Sequence, residues 1–386
     1  MATAVSLAWR VRKRLFGPGI VRDALRTGHA RRSLLLYTVY PFRVREGRLP
    51  HQNVGQVREL ARALGELGLA ADVVEHDERR RELLRGLYEL VVDLHPRDPA
   101  LYEGHLCPQA RRIAYITGKN PEFSNAAERR RLDELERRRG VRLTPRRQAA
   151  PFPRQRLEAY DAFFYFGDRA TLETYEGFRL PATYRLPNHG YDDVEPTPAG
   201  RRDPRRFLFL GGTGQVHKGL DLVLELFAAA PDLDLVVCSP VAAEPDFARA
   251  YATELRRPNI HLVGTVDVRS PRFRELQATC GTMLLPSCSE GESGSVTVAL
   301  SYGLPCAVGP DCGFEDPEVE ILPDCRPQTL ERFVRCRAAE PAATLASRSA
   351  QSLALMHRRL RPRHYAEAVR SALRAVTGTP PGGGSR

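Results

Sequence analysis

The 386-residue sequence lacks several features that mark common protein classes. No run approaches the roughly 20 apolar residues of a transmembrane helix. No segment has the charge pattern and cleavage site of a signal peptide, so we expect a cytoplasmic protein. The eight cysteines form no C-x-x-C pair and have no zinc-ligand spacing with histidine. We therefore expect no metal site, and we expect Cys280, Cys288, Cys306 and Cys312 to be reduced, packed thiols.

Lysine is also scarce. Only Lys13, Lys119 and Lys218 occur, although Lys and Arg together number 58 and the net charge is +11. Nearly all of the positive charge is therefore arginine, as a general compositional bias would produce. Arginines and glutamates alternate along residues 128–139, which we interpret as a solvated, self-paired helix face. Nucleic acid is not an expected partner.

The unbalanced positive charge lies in residues 1–32, which hold eight Arg or Lys against the single acid Asp23. Trp9, Leu15 and Phe16 lie among them, so this segment could lie peripherally on the inner face of the plasma membrane. A loosely docked basic helix explains the same residues equally well.

From residue 33 onward, short apolar runs alternate with amphipathic segments, which is typical of parallel sheets covered by helices on both faces. Strands are predicted at 33–40, 71–75, 88–94, 113–117, 162–166, 184–186, 206–210, 233–238, 260–263, 282–285 and 306–308. Helices are predicted at 54–67, 125–139, 218–230, 246–255, 273–279 and 295–302, with further helical segments to about 376.

Residues 187–205 are rich in Pro, Gly and Asp without periodicity, and they are predicted to link two domains. The pattern therefore predicts an α/β fold of two doubly wound, Rossmann-like domains that face each other across a cleft. The expected divisions are a basic segment 1–32, domains 33–195 and 196–365, and a C-terminal helix with a disordered tail 366–386.

The first informative motif is FLFLGGTGQVHKGLD at 207–221. A strand runs into a glycine-rich turn, and a helix is predicted to open near Lys218. Gly211, Gly212 and Gly214 would leave backbone N–H groups exposed to a ligand. The helix start and Lys218 add positive charge, so a diphosphate fits this environment. A plain strand–turn–helix connection would explain the same residues.

The second motif is LLPSCSEGESGSVTVALSYGLP at 284–305. Ser293, Gly294 and Ser295 place N–H donors at a predicted helix start, a second anion-binding end. Glu290 lies in the preceding turn. Phosphate groups would repel a carboxylate, so its natural partner is the hydroxyl pair of a sugar, with a helix-cap role as the alternative. We expect Lys218 and Glu290 to point into one pocket.

Together the runs HKGLD and PSCSEGESGSVTVALSYGLP resemble the family 4 (group 1) glycosyltransferases of the GT-B fold, most strongly over 207–314. YITGKNPEFSNAAERRRLDELERRRG and RLPNHG are similar to the first domain and hinge of bacterial members. The resemblance implies hexosyl transfer, with retention, from a nucleoside-diphosphate sugar to a carbohydrate, lipid-linked or natural-product acceptor. It implies no metal or other cofactor, donor binding by 196–365, and acceptor binding by 33–195. The process would be bacterial polysaccharide or glycoconjugate biosynthesis.

Carried onto this sequence, the resemblance makes Lys218 and Glu290 the catalytic pair, with Lys218 neutralising the donor diphosphate and Glu290 binding the transferred sugar. The implied donor-binding residues are Gly212, Thr213, Gly214, His217, Lys218, Gly264, Thr265, Glu290, Gly291, Ser293, Gly294, Ser295 and Val296. Acceptor contacts are expected from His51, Lys119 and Asn120, each of which could equally be an ordinary loop or turn residue.

Three departures from the family pattern affect the function. The usual second glutamate falls at Val298, and the usual arginine of the phosphate turn is replaced by Thr213 and Gly214. No histidine follows the fourth predicted strand, 113–117, where the sequence is Thr117-Gly-Lys-Asn120. An inactive sugar- or nucleic-acid-binding protein of the same fold is therefore the alternative. A nicotinamide dehydrogenase is disfavoured because Gly212-x-Gly214-x-x-His217 lacks the third glycine of the dinucleotide motif.

Overall fold

The structure is a computed structural model that describes residues 19–43, 52–96 and 99–378. Residues 1–18, the candidate acceptor residue His51 and the tail after Gly378 lie outside the described residues. None of the described helices combines the length and apolar character that crossing a membrane requires. The cysteines are free thiols, and the four expected to be packed are buried.

The first sheet has seven strands in the order β1-β3-β2-β4-β5-β6-β7. All neighbouring pairs are parallel except the edge pair β1–β3. Every residue of β3 is buried, as a strand covered on both faces requires. The strands are β1 (Ile20–Val21), β2 (Arg31–Tyr37), β3 (Leu69–Glu75), β4 (Tyr88–Leu94), β5 (Leu106–Ile116), β6 (Ala162–Tyr165) and β7 (Ala182–Arg185).

The second sheet has six parallel strands in the order β10-β9-β8-β11-β12-β13. They are β8 (Asp203–Leu210), β9 (Asp234–Cys238), β10 (Ile260–Leu262), β11 (Cys280–Leu285), β12 (Cys306–Val308) and β13 (Glu320–Ile321). Counted within this domain the order is 3-2-1-4-5-6, so the winding direction reverses between β8 and β11. The loops that follow these two neighbouring strands therefore leave the same edge of the sheet side by side.

Helices connect the strands and complete the chain, and the predicted fold of two doubly wound α/β domains is confirmed. The α-helices in the described residues are α1 (Gln52–Glu66), α2 (Pro121–Arg139), α3 (Arg154–Glu158), α4 (Arg169–Glu173), α5 (Leu220–Ala229), α6 (Pro245–Ala250), α7 (Pro271–Ala278), α8 (Gly294–Ser301), α9 (Pro327–Ala338), α10 (Ala342–Leu355) and α11 (Pro362–Thr377). A π-helical segment, Met356–Leu360, joins the last two.

Several boundaries differ from the sequence-based ones for local reasons. Helix α5 begins at Leu220 rather than near Lys218, because Gly219 precedes it with a left-handed φ of 79°. Helix α2 begins at Pro121, where the Asn120 side chain accepts a hydrogen bond from the Glu122 amide. The predicted helix 246–255 ends at Ala250. The predicted linker 187–205 is partly ordered structure, since β8 already begins at Asp203.

Helix α2 is not the self-paired, solvated helix that its charge pattern predicts. It belongs to the connection between β5 and β6 but packs on the second domain, where Leu132 and Leu135 join the large hydrophobic core around β8 and β11. Arg131 is buried and donates to the Pro286 carbonyl at 2.7 Å, while Arg138 pairs with Asp221 at 2.7 Å. The partners of these arginines are therefore in the other domain.

Helix α11 makes the reverse connection, because it follows the second domain but packs against α1 and the first sheet. Tyr365, Val369 and Leu373 belong to the first domain's core. The Tyr365 hydroxyl lies 3.0 Å from that of Tyr115 on β5. Each domain therefore packs against one helix from the other part of the chain: α2 on the second domain and α11 on the first.

Truncation of Leu135 tests the docking of α2. Leu135 is fully buried, so Leu135→Ala should lower the free energy of unfolding by about 2–5 kcal/mol through lost burial and a new cavity. The matched control is Leu87→Ala, because Leu87 is 53% exposed. Urea denaturation measures both, and equal midpoints would show that α2 does not dock on the second domain.

Candidate active site

The loops after β8 and β11 meet at an ion pair. Lys218 Nζ lies 2.5 Å from Glu290 Oε1, and the Ser287 hydroxyl donates to the same oxygen at 2.6 Å. His217 Nε2 lies 2.7 Å from the Ser289 carbonyl, and this contact makes Nε2 the donor. The Cys288 amide donates to the His217 carbonyl at 2.9 Å, so the two loops are bonded in both directions.

The pair is nearly buried, since each of its two side chains is only 10% exposed. Burial by itself raises the pKa of Glu290, but the charges of Lys218 and Arg147 and the Lys218 hydrogen bond outweigh it and lower the pKa to about 2. Glu290 is therefore an ionised carboxylate at neutral pH. Burial lowers the pKa of His217, which favours a neutral ring.

The glycine-rich turn offers fewer free amides than its sequence predicts. The Gly211 amide donates to the Cys238 carbonyl at 3.1 Å, and the Gly214 amide donates to Glu244 Oε1 at 2.5 Å. The Gly214 amide, which was expected to face a ligand, is thus already hydrogen-bonded to Glu244. Sequence reasoning did not identify Glu244. The positive charge at this turn comes chiefly from Lys218.

The start of α8 has two amides in its first turn without an internal partner. Here the Ser293 amide donates to the Cys312 carbonyl and the Val296 amide to the Ser293 carbonyl. Within the described residues, the amides of Gly294 and Ser295 have no such acceptor, and both residues line the adjoining cavity. This helix end can therefore receive an anion. Glu290 makes an ion pair rather than a helix cap.

A cavity of about 560 Å³ lies between the two domains and contains the ion pair. We name it the donor chamber after the donor-binding residues that the sequence resemblance implies. The expected donor residues that line it are Gly212, Lys218, Thr265, Glu290, Gly291, Ser293, Gly294 and Ser295. Thr213, Gly214, Gly264 and Val296 are not among its lining residues, and His217 lines a second cavity instead.

Part of the lining of the donor chamber is apolar. Leu210, Pro240, Val266 and Val268 contribute to its wall, together with Val298 at the position of the usual second glutamate. A valine side chain accepts no hydrogen bond from a ribose hydroxyl, so this contact has to come from another group or be absent.

The second chamber, of about 950 Å³, shares the lining residues Thr117, Arg147, Glu290 and Gly291 with the first. A Cβ atom at Gly291 would overlap the Thr117 carbonyl, so this glycine allows the two domains to approach closely. Lys119 lines the second chamber, and its Nζ lies 2.6 Å from Asp311 Oδ1. Asn120 caps α2 and does not line either chamber.

The RLPNHG turn forms a buried hinge with contacts across the cleft. Gln52 Nε2 donates to the His189 carbonyl at 2.9 Å and to Thr297 Oγ1 at 2.8 Å. The Asn188 side chain donates to the Glu292 carbonyl at 2.7 Å. Glu292, which sequence reasoning missed, lines the donor chamber and pairs with Arg359 at 2.5 Å.

Two further residues at the site were not identified from the sequence. Arg147 lines both chambers, and a Cβ atom at Gly214 would lie only 2.6 Å from its Cγ. His95 follows β4 in the second chamber, with a left-handed φ of 50° and Nε2 2.7 Å from Thr117 Oγ1. Such a conformation is unusual for a non-glycine residue and is enriched at functional sites.

Among the described residues, Glu75, His76 and Asp77 could offer ligands to a metal ion, because one possible ligand atom from each lies within 4.8 Å of the other two. Both carboxylate oxygens of Glu75 are already engaged, one with His76 and the other with the Val39 amide. This group is not part of either chamber.

Replacing Lys218 tests the electrostatic description of the ion pair. In the wild type, the low pKa of Glu290 adds stability above about pH 4.5 that is lost as the pH falls toward 2. In Lys218→Met, burial should raise that pKa above its ordinary value, so stability falls as the pH rises through it. We expect a loss of about 3 kcal/mol at pH 7, because a buried carboxylate loses its partner, and a smaller loss at pH 4.5.

Urea denaturation at both pH values measures the effect. The control is the double variant Lys218→Met/Glu290→Gln, which removes the unpaired charge and should recover most of the stability at pH 7. An equal loss at both pH values, or no recovery in the double variant, would contradict the description.

No protein-family model matches the sequence, and no curated protein matches it significantly. Solved structures do match. Sucrose-phosphate synthase from Thermosynechococcus elongatus aligns with 90% of this chain and 100% of its own, at a TM-score of 0.62 and 14% identity. A trehalose-6-phosphate synthase, studied as an example of glycosyl transfer with retention, aligns over 87% and 82%, at 0.54 and 12%.

TarM aligns with 84% of this chain at a TM-score of 0.54 and 8% identity. This chain spans only 58% of the length of TarM. The Staphylococcus aureus protein has been solved as a variant with UDP and α-GlcNAc-glycerol. Identities this low establish the arrangement of the domains and not the activity. The chain has the two-domain GT-B fold of these glycosyltransferases.

Proposed function

We propose that the protein is a retaining glycosyltransferase that moves a hexosyl group from a nucleoside-diphosphate sugar to an acceptor hydroxyl. The observation that carries the proposal is the Lys218–Glu290 pair, which joins two loops and lines the donor chamber next to the start of α8. A cation, free helix amides and a fixed carboxylate within one cavity match the three parts of the donor near its reacting bond.

In the proposed complex the diphosphate lies between Lys218 and the amides of Gly294 and Ser295. The Lys218 ammonium has three N–H groups, so it can hold Glu290 and a phosphate oxygen together. Glu290 then faces the sugar and accepts hydrogen bonds from its hydroxyl groups. The nucleoside is proposed to contact Thr265 and Val266, which also line the donor chamber.

During transfer, the bond from the anomeric carbon to the diphosphate oxygen breaks, and a bond to the acceptor oxygen forms on the same face of the sugar. The acceptor proton leaves with the diphosphate. Negative charge grows on the departing oxygen, where Lys218 and the helix amides lower its energy. Positive charge grows on the sugar ring, where the ionised Glu290 carboxylate lowers its energy.

The similar proteins support the proposed nucleotide-sugar donor and the proposed retention of configuration. TarM has been solved with UDP, and the trehalose-6-phosphate synthase serves as an example of transfer with retention. The contacts across the cleft support it as well. Gly291 against Thr117 and Gln52 against the start of α8 narrow the site, and exclusion of water suppresses hydrolysis of the donor.

A donor screen tests the function. UDP-, GDP-, ADP- and dTDP-sugars are added to the full-length protein, and the correct donor should raise the melting temperature. The same donor should be hydrolysed slowly without an acceptor. Glu290→Gln should lower that turnover by about 10²–10³-fold, because it removes a charge that acts in the transition state.

Because Glu290→Gln keeps the size of the side chain, retained donor binding in the variant controls for folding. Binding of a donor with no hydrolysis or transfer by the wild type would favour the inactive sugar-binding protein instead. If none of the donors stabilises the wild type, the proposed function is wrong.

Arg147 is proposed to replace the arginine that the phosphate turn lacks. Its side chain crosses Gly214 and lines the donor chamber beside Lys218, although it comes from the segment after α2. The guanidinium has no hydrogen-bond or ion-pair partner among the described residues. It is therefore free to bind a phosphate oxygen of the donor.

Arg147→Ala should raise the KM for the donor about tenfold or more, as loss of a charged hydrogen bond predicts, with a smaller effect on the KM for the acceptor. Steady-state kinetics with the donor from the screen measures this. Arg142→Ala is the matched control, since Arg142 is exposed and lines neither chamber. The assignment fails if both variants have the same donor KM.

A further inference from the structure

The second chamber lies where the acceptor of the proposed reaction has to enter. Its walls come mainly from the loops after β3, β4 and β5, at the carboxyl edge of the first sheet, and from residues 146–156. It shares the lining residues Thr117, Arg147, Glu290 and Gly291 with the donor chamber. A molecule in this chamber can therefore approach Glu290, where the proposed complex places the sugar of the donor.

The charges that line the second chamber are almost all positive. Arg79, Lys119, Arg146, Arg147 and Arg156 contribute cations, and Glu290 is the one carboxylate residue among the described residues that line the chamber. Glu290 is already held by Lys218. A concave wall with one sign of charge concentrates the potential and attracts an anion.

The cationic side chains of this wall differ in whether they have an ion-pair partner within the protein. Lys119 pairs with Asp311 at 2.6 Å and Arg146 with Asp246 at 2.5 Å, so these two are neutralised by the protein. The side chains of Arg79 and Arg156 have no hydrogen-bond or ion-pair partner anywhere in ranges 19–43, 52–96 and 99–378. Both line the second chamber and not the donor chamber, so the donor diphosphate does not account for them.

We propose that Arg79 and Arg156 bind an anionic group, a phosphate or a carboxylate, on the acceptor. This inference rests on the proposed function, because it assigns the substrate class of the adjoining site. A guanidinium presents a planar fork that binds either group through two parallel hydrogen bonds. Phe152 and Pro151 add an apolar wall beside Arg156, suited to the face of a sugar ring.

The polarity of the chamber also fixes the orientation of the acceptor. Glu290 repels an anion from the end where transfer takes place, whereas Arg79 and Arg156 attract it elsewhere in the chamber. The acceptor therefore presents a hydroxyl to the junction of the two chambers and directs its charged group away from the reacting carbon. A neutral acceptor would not be oriented by these charges.

Binding of three probes to the full-length protein tests the inference: glucose, glucose 6-phosphate and glucuronate, measured by isothermal titration. At least one anionic probe should bind ten or more times tighter than glucose, and its affinity should fall as salt is added. The phosphate probe and the carboxylate probe distinguish the two sources of charge. Arg79→Gln/Arg156→Gln should remove the tenfold preference, while the control Arg142→Gln should keep it.

Equal affinity for glucose and both anionic probes would overturn the inference, as would an unchanged preference in the double variant. The thermal-shift response to the donor is measured in the same variants, and it should be unchanged in Arg79→Gln/Arg156→Gln. Failure of the donor response in the wild type, with anionic binding intact, would count against the donor site and leave the anion site supported.

Discussion

Lys218 and Glu290 meet because the winding of the second sheet reverses between β8 and β11, which places two loops side by side at one edge. Each loop then contributes one charge, and burial makes each charge depend on the other. A lone carboxylate at this depth would lose much of its hydration, and Lys218 offsets that loss. In the proposed complex, the topology and the ion pair together determine where the diphosphate and the sugar are held.

An ion pair of this kind is a poor device for stability alone, since a pair of apolar residues would often serve as well. Its position gives it a further use. The low pKa of Glu290 keeps the carboxylate charged across the whole neutral range. Lys218, whose ammonium has three N–H groups, lines the adjoining cavity. The two groups hold the loops together, and in the proposed reaction they also stabilise opposite charges as the glycosidic bond breaks.

Much of the fold and part of the site could be predicted from the sequence, because the relevant signals are local. Strands β4 and β12 have the predicted bounds, and the glycine turn and the serine-rich turn each follow a buried apolar run. The engaged amide of Gly214 could not be predicted, because its acceptor, Glu244, follows a different strand. The position of Arg147 depends on how α2 docks, and no local pattern encodes that.

Helix α2 shows why an arginine-rich sequence is hard to interpret. Alternating Arg and Glu satisfy the rule for a self-paired surface helix, yet Arg131 and Arg138 find a carbonyl and a carboxylate in the other domain. Leucines on the same helix provide the apolar contact that makes this docking favourable. The segment that follows α2 then places Arg147 at both chambers and Arg156 at the second chamber. Arginines that resemble general surface composition in the sequence thus have three different positions: some join the domains, Arg147 lines both chambers, and others line the second chamber alone.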